Sequence, residues 1–279
     1  MLLVAALLPL GTTTAQAEKT TLRIGEPTPW ALGLQPGVTP VKEKIAAFHD
    51  ELLIIIFGIS GLVLVLMVYI VIRFNKKRNP VASKTTHNVP LEIIWTALPV
   101  VLLIIILVPS LRLLYFSDKD PAAEMTVKVV GHQWYWSYEF PDHGGFSYDS
   151  YMIPDKEIDV SKGQVRLLDV DNTLVIPVDT SVRFIVTAAD VIHSFFIPAF
   201  GLQKAAIPGR LNETWAKVER EGRYYGQCNK ICGNGHAFMP IAVDVVSKEK
   251  FAAWIKEKGG TMPAPKPAAA LPAPVKTVE

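Results

Sequence analysis

Cysteine and charge are both scarce in this chain, and each shortage excludes whole classes of protein. Only two cysteines occur among 279 residues, which excludes a disulfide scaffold, a four-cysteine zinc site and a cysteine-ligated iron–sulfur cluster. No C-x-x-C-H sequence is present, so no c-type haem is attached here. Charged residues make up 19% of the chain and the net charge is +2. This balance gives no reason to expect a nucleic-acid partner.

Hydrophobic residues make up half of the chain, and the first run of them predicts a secretory signal. The apolar residues 2–10 are followed by small and hydroxyl residues that end in Ala15-Gln16-Ala17, a pattern that fits cleavage after Ala17. We therefore expect residues 1–17 to be a signal peptide and residues 18–44 to be an extracytoplasmic segment. A short buried helix is the alternative interpretation of the first run.

Two longer runs predict a transmembrane hairpin over residues 45–116. Residues 52–72 and 93–111 carry no charged side chain, and each run is long enough to cross a bilayer core of about 30 Å. The linker contains five lysines and arginines and no acid, so the positive-inside rule places it in the cytoplasm. Both termini then lie outside. A buried hairpin of a soluble protein is the alternative.

The segment 117–258 has the pattern of an all-β domain. Short runs of β-prone residues alternate with Gly, Pro and Asp, which is typical of an antiparallel sandwich or barrel. Examples are 126–130, 164–168, 181–186, 213–218 and 241–246. A closing helix is predicted from Ser247, its N-cap, to Lys258. The Pro/Ala-rich residues 259–279 are typical of a disordered tether.

Soft metal-binding side chains are concentrated near the end of this domain. Cys228, Cys232, His236 and Met239 lie within twelve residues, and thiolate, thioether and imidazole donors together favour copper. Two thiolates can bridge two copper ions, and His193 is the best candidate for a second imidazole. The alternatives are a disulfide for the cysteines, core packing for Met239 and a hydrogen-bonded core histidine for His193.

With these motifs the chain resembles subunit II of the bacterial haem–copper cytochrome c oxidases over residues 45–258. The resemblance is carried by the hairpin and by four motifs: Gly131-His-Gln-Trp-Tyr-Trp136-Ser-Tyr-Glu139, Asp190-Val-Ile-His193-Ser, Ile207-Pro-Gly-Arg210, and Tyr225-Gly-Gln-Cys228 through Met239-Pro240. It implies a cupredoxin-like Greek-key barrel that holds a dinuclear copper centre, CuA. The implied ligands are His193, Cys228, Cys232, His236, Met239 and the backbone carbonyl of Lys230.

The resemblance also assigns roles outside the ligand set. Trp134 would admit electrons, and Glu92 would lie near the mouth of a proton channel in subunit I. Lys230 departs from the family, which usually has a glutamate that also helps to bind Mg²⁺ or Mn²⁺ at the interface with subunit I. A lysine supplies no carboxylate, so this second metal site is in doubt.

The implied function is electron entry into a proton-pumping cytochrome c oxidase of the bacterial inner membrane, with the copper domain in the periplasm. The partners would be subunit I, which carries the haems, CuB and the O₂-reducing site, subunit III, and cytochrome c. The alternative is a membrane-anchored copper carrier or chaperone without a fixed oxidase partner.

Residues 117–258 contain 19 acids and 16 lysines and arginines, so an acidic face could steer a basic cytochrome c. The candidate docking residues are Tyr135, Glu139, Asp142 and Asp149.

Overall fold

Two long helices form the N-terminal part of the fold in the computed structural model, which describes residues 25–119 and 122–263. Helix α1 spans Pro40–Arg73 and helix α2 spans Val89–Asp118. Both are long and apolar enough to cross a membrane, and the apolar stretch of each is unburied in the protein. The predicted spans 52–72 and 93–111 lie inside these helices. The predicted signal peptide lies outside the described residues, as do residues 264–279 of the predicted tail.

Side-chain caps explain where the two helices begin. The hydroxyl of Thr39 accepts a hydrogen bond from the Lys42 amide at 3.1 Å, and Pro40 occupies the first turn, where its missing N–H costs nothing. Asn88 caps α2 in the same way by accepting from the Leu91 amide at 3.2 Å. Thr39 also donates to the Phe200 carbonyl at 2.7 Å, so the cap attaches α1 to the second part of the fold.

The second part is an all-β domain of two five-stranded sheets, closed by a helix. The elements are β1 Met125–His132, β2 Tyr135–Phe140, β3 Phe146–Ser150, β4 Leu174–Pro177, β5 Ser181–Ala188, β6 His193–Ile197, β7 Leu202–Ala206, β8 Asn212–Lys217, β9 Gly222–Cys228, β10 Pro240–Val246 and α3 Lys248–Glu257.

The strand order places the chain's ten strands in two sheets. One sheet has the order β3-β2-β1-β5-β8 and the other β4-β10-β9-β6-β7. Within the sheets, β1–β5 and β4–β10 are parallel pairs, and the remaining neighbours are antiparallel.

The predicted fold class, a two-helix hairpin followed by an all-β domain, is confirmed. The predicted run 164–168, however, is not a strand. Residues 166–168 form a turn and residues 164–165 have no regular structure, because Leu167 adopts a left-handed backbone with φ of 65° and the Asp169 carboxylate accepts the Val165 amide at 2.5 Å. The β-prone side chains of this run are outweighed by the local hydrogen bond.

The core lies between the two sheets and is rich in aromatic side chains. Alternation along the strands directs one face of each inward, as in β1, where Val127 and Val129 are fully buried. The largest fully buried side chains are Trp136, Tyr138, Tyr224, Phe140, Phe184, Phe195 and Phe200. Burial of this much apolar surface is the main source of stability of the domain.

A buried ionic network fixes the long loop between β3 and β4. Asp169 is 1% exposed, and its carboxylate accepts hydrogen bonds from Arg223 at 3.1 Å and from the Tyr225 hydroxyl. Arg223 also makes two hydrogen bonds of 2.7 Å to Asp244. The guanidinium therefore joins the loop to strands β9 and β10.

We predict that Arg223→Met destabilises the β domain by about 2–3 kcal/mol, because the buried Asp169 loses its charged partner. The matched control is Arg166→Met, which removes a solvent-exposed ion pair with Asp155 and should cost less than about 1 kcal/mol. Urea unfolding of the purified chain in detergent, followed by near-ultraviolet circular dichroism, measures both. Equal losses in the two variants would contradict the structural role given to Arg223.

Candidate metal centre

Two neighbouring strands bring the sulfur and nitrogen donors together at one end of the β domain. Cys228 is the last residue of β9, and His193 is the first residue of β6, which pairs with β9. The loop after β9 carries Cys232 and His236, and Met239 directly precedes β10. Sheet pairing therefore brings His193 beside Cys228, and the loop supplies the other three side-chain donors.

The donor atoms lie close to one another. The Sγ atoms of Cys228 and Cys232 are 4.0 Å apart, and both cysteines are free thiols, so the structure contains no disulfide between them. The remaining distances from a sulfur atom are 4.0 Å from Cys228 Sγ to His193 Nδ1, 3.3 Å from Cys228 Sγ to the Lys230 carbonyl oxygen, 3.6 Å from Cys232 Sγ to His236 Nδ1, and 3.6 Å from Cys232 Sγ to Met239 Sδ. All six ligand positions implied by the resemblance are thus adjacent.

The imidazole of His193 is fully buried and its orientation is fixed by Asp190. The carboxylate of Asp190 lies 2.8 Å from His193 Nε2 and also accepts the backbone N–H of Gln133 at 2.7 Å. This leaves His193 Nδ1 facing Cys228. A carboxylate behind a ligating histidine is the usual way in which proteins orient a metal ligand. Our sequence analysis gave Asp190 no role, although its position three residues before His193 was a usable signal.

Electrostatics at the two thiols favours a bound cation. Burial opposes ionisation of Cys228, but hydrogen bonds with His193 and with the backbone at Lys230 and Ser194 outweigh it and lower the pKa of this thiol. Burial and then the charge of Cys228 raise the pKa of the Cys232 thiol. One thiolate is therefore stabilised by the protein alone, while a second requires additional positive charge.

The indole of Trp134 covers the loop from the opposite sheet. Its Nε1 donates to the Cys232 carbonyl at 3.3 Å, and Gln133 Nε2 donates to the same oxygen at 2.7 Å. The ring packs on Gly235, where a Cβ atom would lie only 2.3 Å from Trp134 Cδ2. Trp134 therefore touches the loop between β9 and β10 that carries the candidate ligands, and Gly235 is the residue that permits this contact.

The four predicted docking residues occupy different places along the same sheet. Tyr135 stacks between His132 and Tyr151 with ring centroids 4.4 Å apart on each side. Asp149 is exposed and accepts from the Ser137 hydroxyl at 2.6 Å.

The other two acids are engaged elsewhere. Glu139 forms an ion pair with Lys128 at 2.7 Å, so its charge is compensated. Asp142 accepts the Thr126 amide at 2.6 Å, beyond the far end of β2, at least about 17 Å along the strand from Tyr135. Of the predicted acids, only Asp149 is both exposed and opposite the part of β2 nearest Trp134.

The two remaining predicted residues lie apart in the structure. Lys230 is exposed, and its backbone carbonyl, rather than its ammonium group, faces the thiols. Glu92 accepts the Asn88 amide at 3.1 Å, which makes it part of the cap of α2. Its place at the start of α2 is compatible with a proton-entry role, and this role stays a prediction.

Comparisons with known proteins agree on one family. The family described as cytochrome C oxidase subunit II, transmembrane domain, matches residues 27–113, and the one described as its periplasmic domain matches residues 125–246. A probable cytochrome c oxidase subunit 2 of Rickettsia bellii (strain RML369-C) is 51% identical over 233 residues, covering 84% of this chain and 86% of that protein. Cytochrome c oxidase subunit 2 of Mycosarcoma maydis is 47% identical, covering 82% and 91%.

Among solved structures, the periplasmic domain of subunit II of the cytochrome oxidase of Bradyrhizobium japonicum is similar to this chain. It is 50% identical in sequence and covers 50% of this chain and 97% of that one, with a TM-score of 0.47.

We predict that Gly235→Ala displaces Trp134 and uncovers Cys232. The backbone of Gly235 has φ of −91°, which suits alanine, so the only obstacle is the indole ring. In the reduced, metal-free chain, the reaction of the two thiols with a disulfide reagent should become several-fold faster. The control is Gly33→Ala, whose added methyl group meets no atom within 4 Å. An unchanged rate in Gly235→Ala would show that Trp134 does not cover the loop.

Proposed function

The chain belongs to the cytochrome c oxidase subunit II family, and from this premise we propose that it is the electron-entry subunit of its oxidase. It is a membrane protein and a subunit of an oxidase. The observation that carries the proposal is the cluster of two free thiols, two imidazoles and a thioether at the start of β6 and the end of β9. Sulfur-rich sites with imidazole are suited to copper.

The donor set fits a dinuclear copper centre. Cys228, Cys232, His193 and His236 would hold the copper, with Met239 and the Lys230 carbonyl as further ligands. Such a centre, when bound, supplies one-electron relay chemistry between cytochrome c and the haem of subunit I. The lysine side chain does not affect this set, since only the main-chain oxygen at position 230 is needed.

The protein's own groups hold the ligands rigidly and keep the site closed. Asp190 fixes the His193 ring, and the Trp136 indole donates to the Met239 carbonyl at 3.1 Å. Trp134 and Gln133 cover the Cys232 side, where both donate to the Cys232 carbonyl oxygen. A closed, rigid ligand set suits electron transfer better than bond-making chemistry.

Orientation and partners follow from the charge pattern and the family. The basic linker, with Arg73, Lys76, Lys77, Arg78 and Lys84, supports a cytoplasmic hairpin turn and a periplasmic β domain in the bacterial inner membrane. Subunit I, subunit III and cytochrome c are the proposed partners.

Glu92 at the cytoplasmic start of α2 is the proposed proton-entry residue. Lys230 argues against a Mg²⁺ or Mn²⁺ ligand at its position, since it presents no carboxylate.

We predict that the full chain, purified in detergent and loaded with copper, binds two copper ions that share one unpaired electron. Cys232→Ser should lose this signal, because one of the two shared thiolates is gone. His132→Asn is the matched control, since His132 belongs to the aromatic stack rather than the donor set, and it should keep both ions. Copper analysis and electron paramagnetic resonance provide the readout. A stoichiometry of zero or one in the wild-type chain would refute the dinuclear centre.

The alternative, a copper carrier without an oxidase partner, is tested separately by purification. Mild detergent extraction and affinity isolation of the chain should co-purify a haem-bearing subunit in a fixed ratio. Isolation of the copper-loaded chain without any haem protein would favour the carrier.

We predict that Asp149→Lys slows reduction of the oxidase by cytochrome c and flattens the dependence of that rate on ionic strength. The new charge would repel a basic partner close to Trp134, and such steering is screened by salt. Asp142→Lys is the control, because this residue lies beyond the far end of β2 and should change the rate much less. Stopped-flow kinetics at several salt concentrations measures both variants. Equal behaviour of the two would remove Asp149 from the docking surface.

A further inference from the structure

A buried tryptophan of the opposite sheet reaches the loop that carries the candidate ligands. Trp136 belongs to β2, and its side chain is fully buried between the two sheets. Its Nε1 donates a hydrogen bond of 3.1 Å to the carbonyl oxygen of Met239, 103 residues away in the chain. Strand β10, which follows Met239, lies in the other sheet. Trp136 therefore crosses the core to hold the main chain of one candidate ligand.

The peptide group that Trp136 holds is one that the strand ladder cannot fix completely. The Met239 carbonyl shares its peptide bond with Pro240, the first residue of β10, and proline has no N–H with which to join the ladder. Met239 also follows directly on the 3₁₀ turn His236–Phe238, and hydrogen bonds in such turns have poorer geometry than those of an α-helix. The indole thus supplies a hydrogen bond at a junction where the proline supplies none.

The same indole packs against a second candidate ligand. The rings of Trp136 and His193 meet edge to face, with centroids 6.0 Å apart and an interplanar angle of 64°. Gly131 is the partner of Trp136 in the pairing of β1 with β2, and a Cβ atom at Gly131 would lie 3.0 Å from His193 Cδ2. His193 therefore lies against the Trp136–Gly131 pair, and this one tryptophan contacts two of the candidate ligands.

The two contacts differ in what they can control. The His193 ring is already oriented by the Asp190 carboxylate, 2.8 Å from its Nε2, so the indole adds packing there. Met239 Sδ lies 3.6 Å from Cys232 Sγ, and a shift of the Met239 main chain would carry this thioether with it. The hydrogen bond from Trp136 therefore acts on the position of the sulfur atom. A weak axial thioether is one of the groups that tune the reduction potential of a copper site.

We propose that Trp136 is a positioning residue, which sets the reduction potential of the copper centre by holding the Met239 thioether in place beside Cys232. This inference rests on the proposed function, since it concerns a bound copper centre. A tryptophan that only filled the core would act on the stability of the domain. A positioning residue acts on the potential as well, and it does so only while the thioether is present.

The test is a double-mutant cycle on the full chain, purified in detergent and loaded with copper, with the midpoint potential as the readout. Trp136→Phe keeps an aromatic ring but loses the donor, and Met239→Leu removes the thioether. At a fixed potential, Trp136→Phe should change the ratio of reduced to oxidised centre by roughly threefold to tenfold, where tenfold is 59 mV for a one-electron couple. In the Met239→Leu background the same substitution should change this ratio less than about twofold, because no thioether is left to displace. Equal changes in both backgrounds would overturn the proposal.

Tyr138→Phe is the matched control. Tyr138 is fully buried two residues further along the same face of β2, where its ring packs against Tyr148. Its substitution should leave the potential unchanged even if it destabilises the domain. A change in Tyr138→Phe as large as that in Trp136→Phe would assign the effect to general loosening of the core and refute the positioning role.

A measurement on the metal-free chain separates this inference from the proposed function. In Trp136→Phe the backbone amides of residues 236–241 should exchange with deuterium several-fold faster than in the wild type, as followed by mass spectrometry, whereas Tyr138→Phe should leave them unchanged. Faster exchange in a chain that binds no copper would remove the copper centre, and with it the effect on its potential, but would keep the contact. If Met239→Leu holds no copper, the single variants decide: an unchanged potential or unchanged exchange in Trp136→Phe refutes the proposal.

Discussion

Two buried thiols held 4.0 Å apart are the constraint on which the rest of this structure depends. Burial disfavours both thiolates, and the first one formed disfavours the second, so the pair is stable in its doubly ionised form only beside strong positive charge. Neighbouring groups lower the pKa of Cys228 but not that of Cys232. The protein therefore stabilises one thiolate by itself, and a cation bound beside the two thiols would stabilise the second.

The candidate site depends on both sheets of the sandwich, because the ligands come from one sheet and the side chains that cover them come from the other. β6, β9 and β10 carry or flank the donors, whereas Trp134 and Gln133 lie in the turn between β1 and β2 of the other sheet. Asp190 joins the two by holding both His193 and the Gln133 amide. A loop with the same donors but without the second sheet would lack both the orienting carboxylate and the covering indole. The closed site is thus a property of the complete domain.

Much of this architecture could be predicted from the sequence, because its signals are local. Uncharged runs, strand alternation and the cluster of soft donors that includes Met239 need only short windows. His193 was the best candidate for the second imidazole, and the resemblance added the Lys230 carbonyl. What could not be predicted depends on long-range contacts. The Asp169 carboxylate that accepts the Val165 amide is itself fixed by Arg223, 54 residues away in the chain. Glu139 forms an ion pair with Lys128 across a strand pair, and only the folded domain brings the Asp190 carboxylate to the Gln133 amide as well as to His193.

Strand β6 links the metal centre to the membrane part of the chain. His193 stands at its start, and the turn that follows its end accepts the Thr39 hydroxyl at the Phe200 carbonyl and the Val38 amide at Ala199. The five residues of the strand span about 14 Å at the usual rise. Helix α1 begins beside this turn and runs roughly 18 Å before its uncharged span, so one short strand and one helix end connect the thiols to the apolar part of the hairpin. In the proposed function, electron transfer to a haem in a partner subunit would depend steeply on distance, so this connection would matter as much as the ligands.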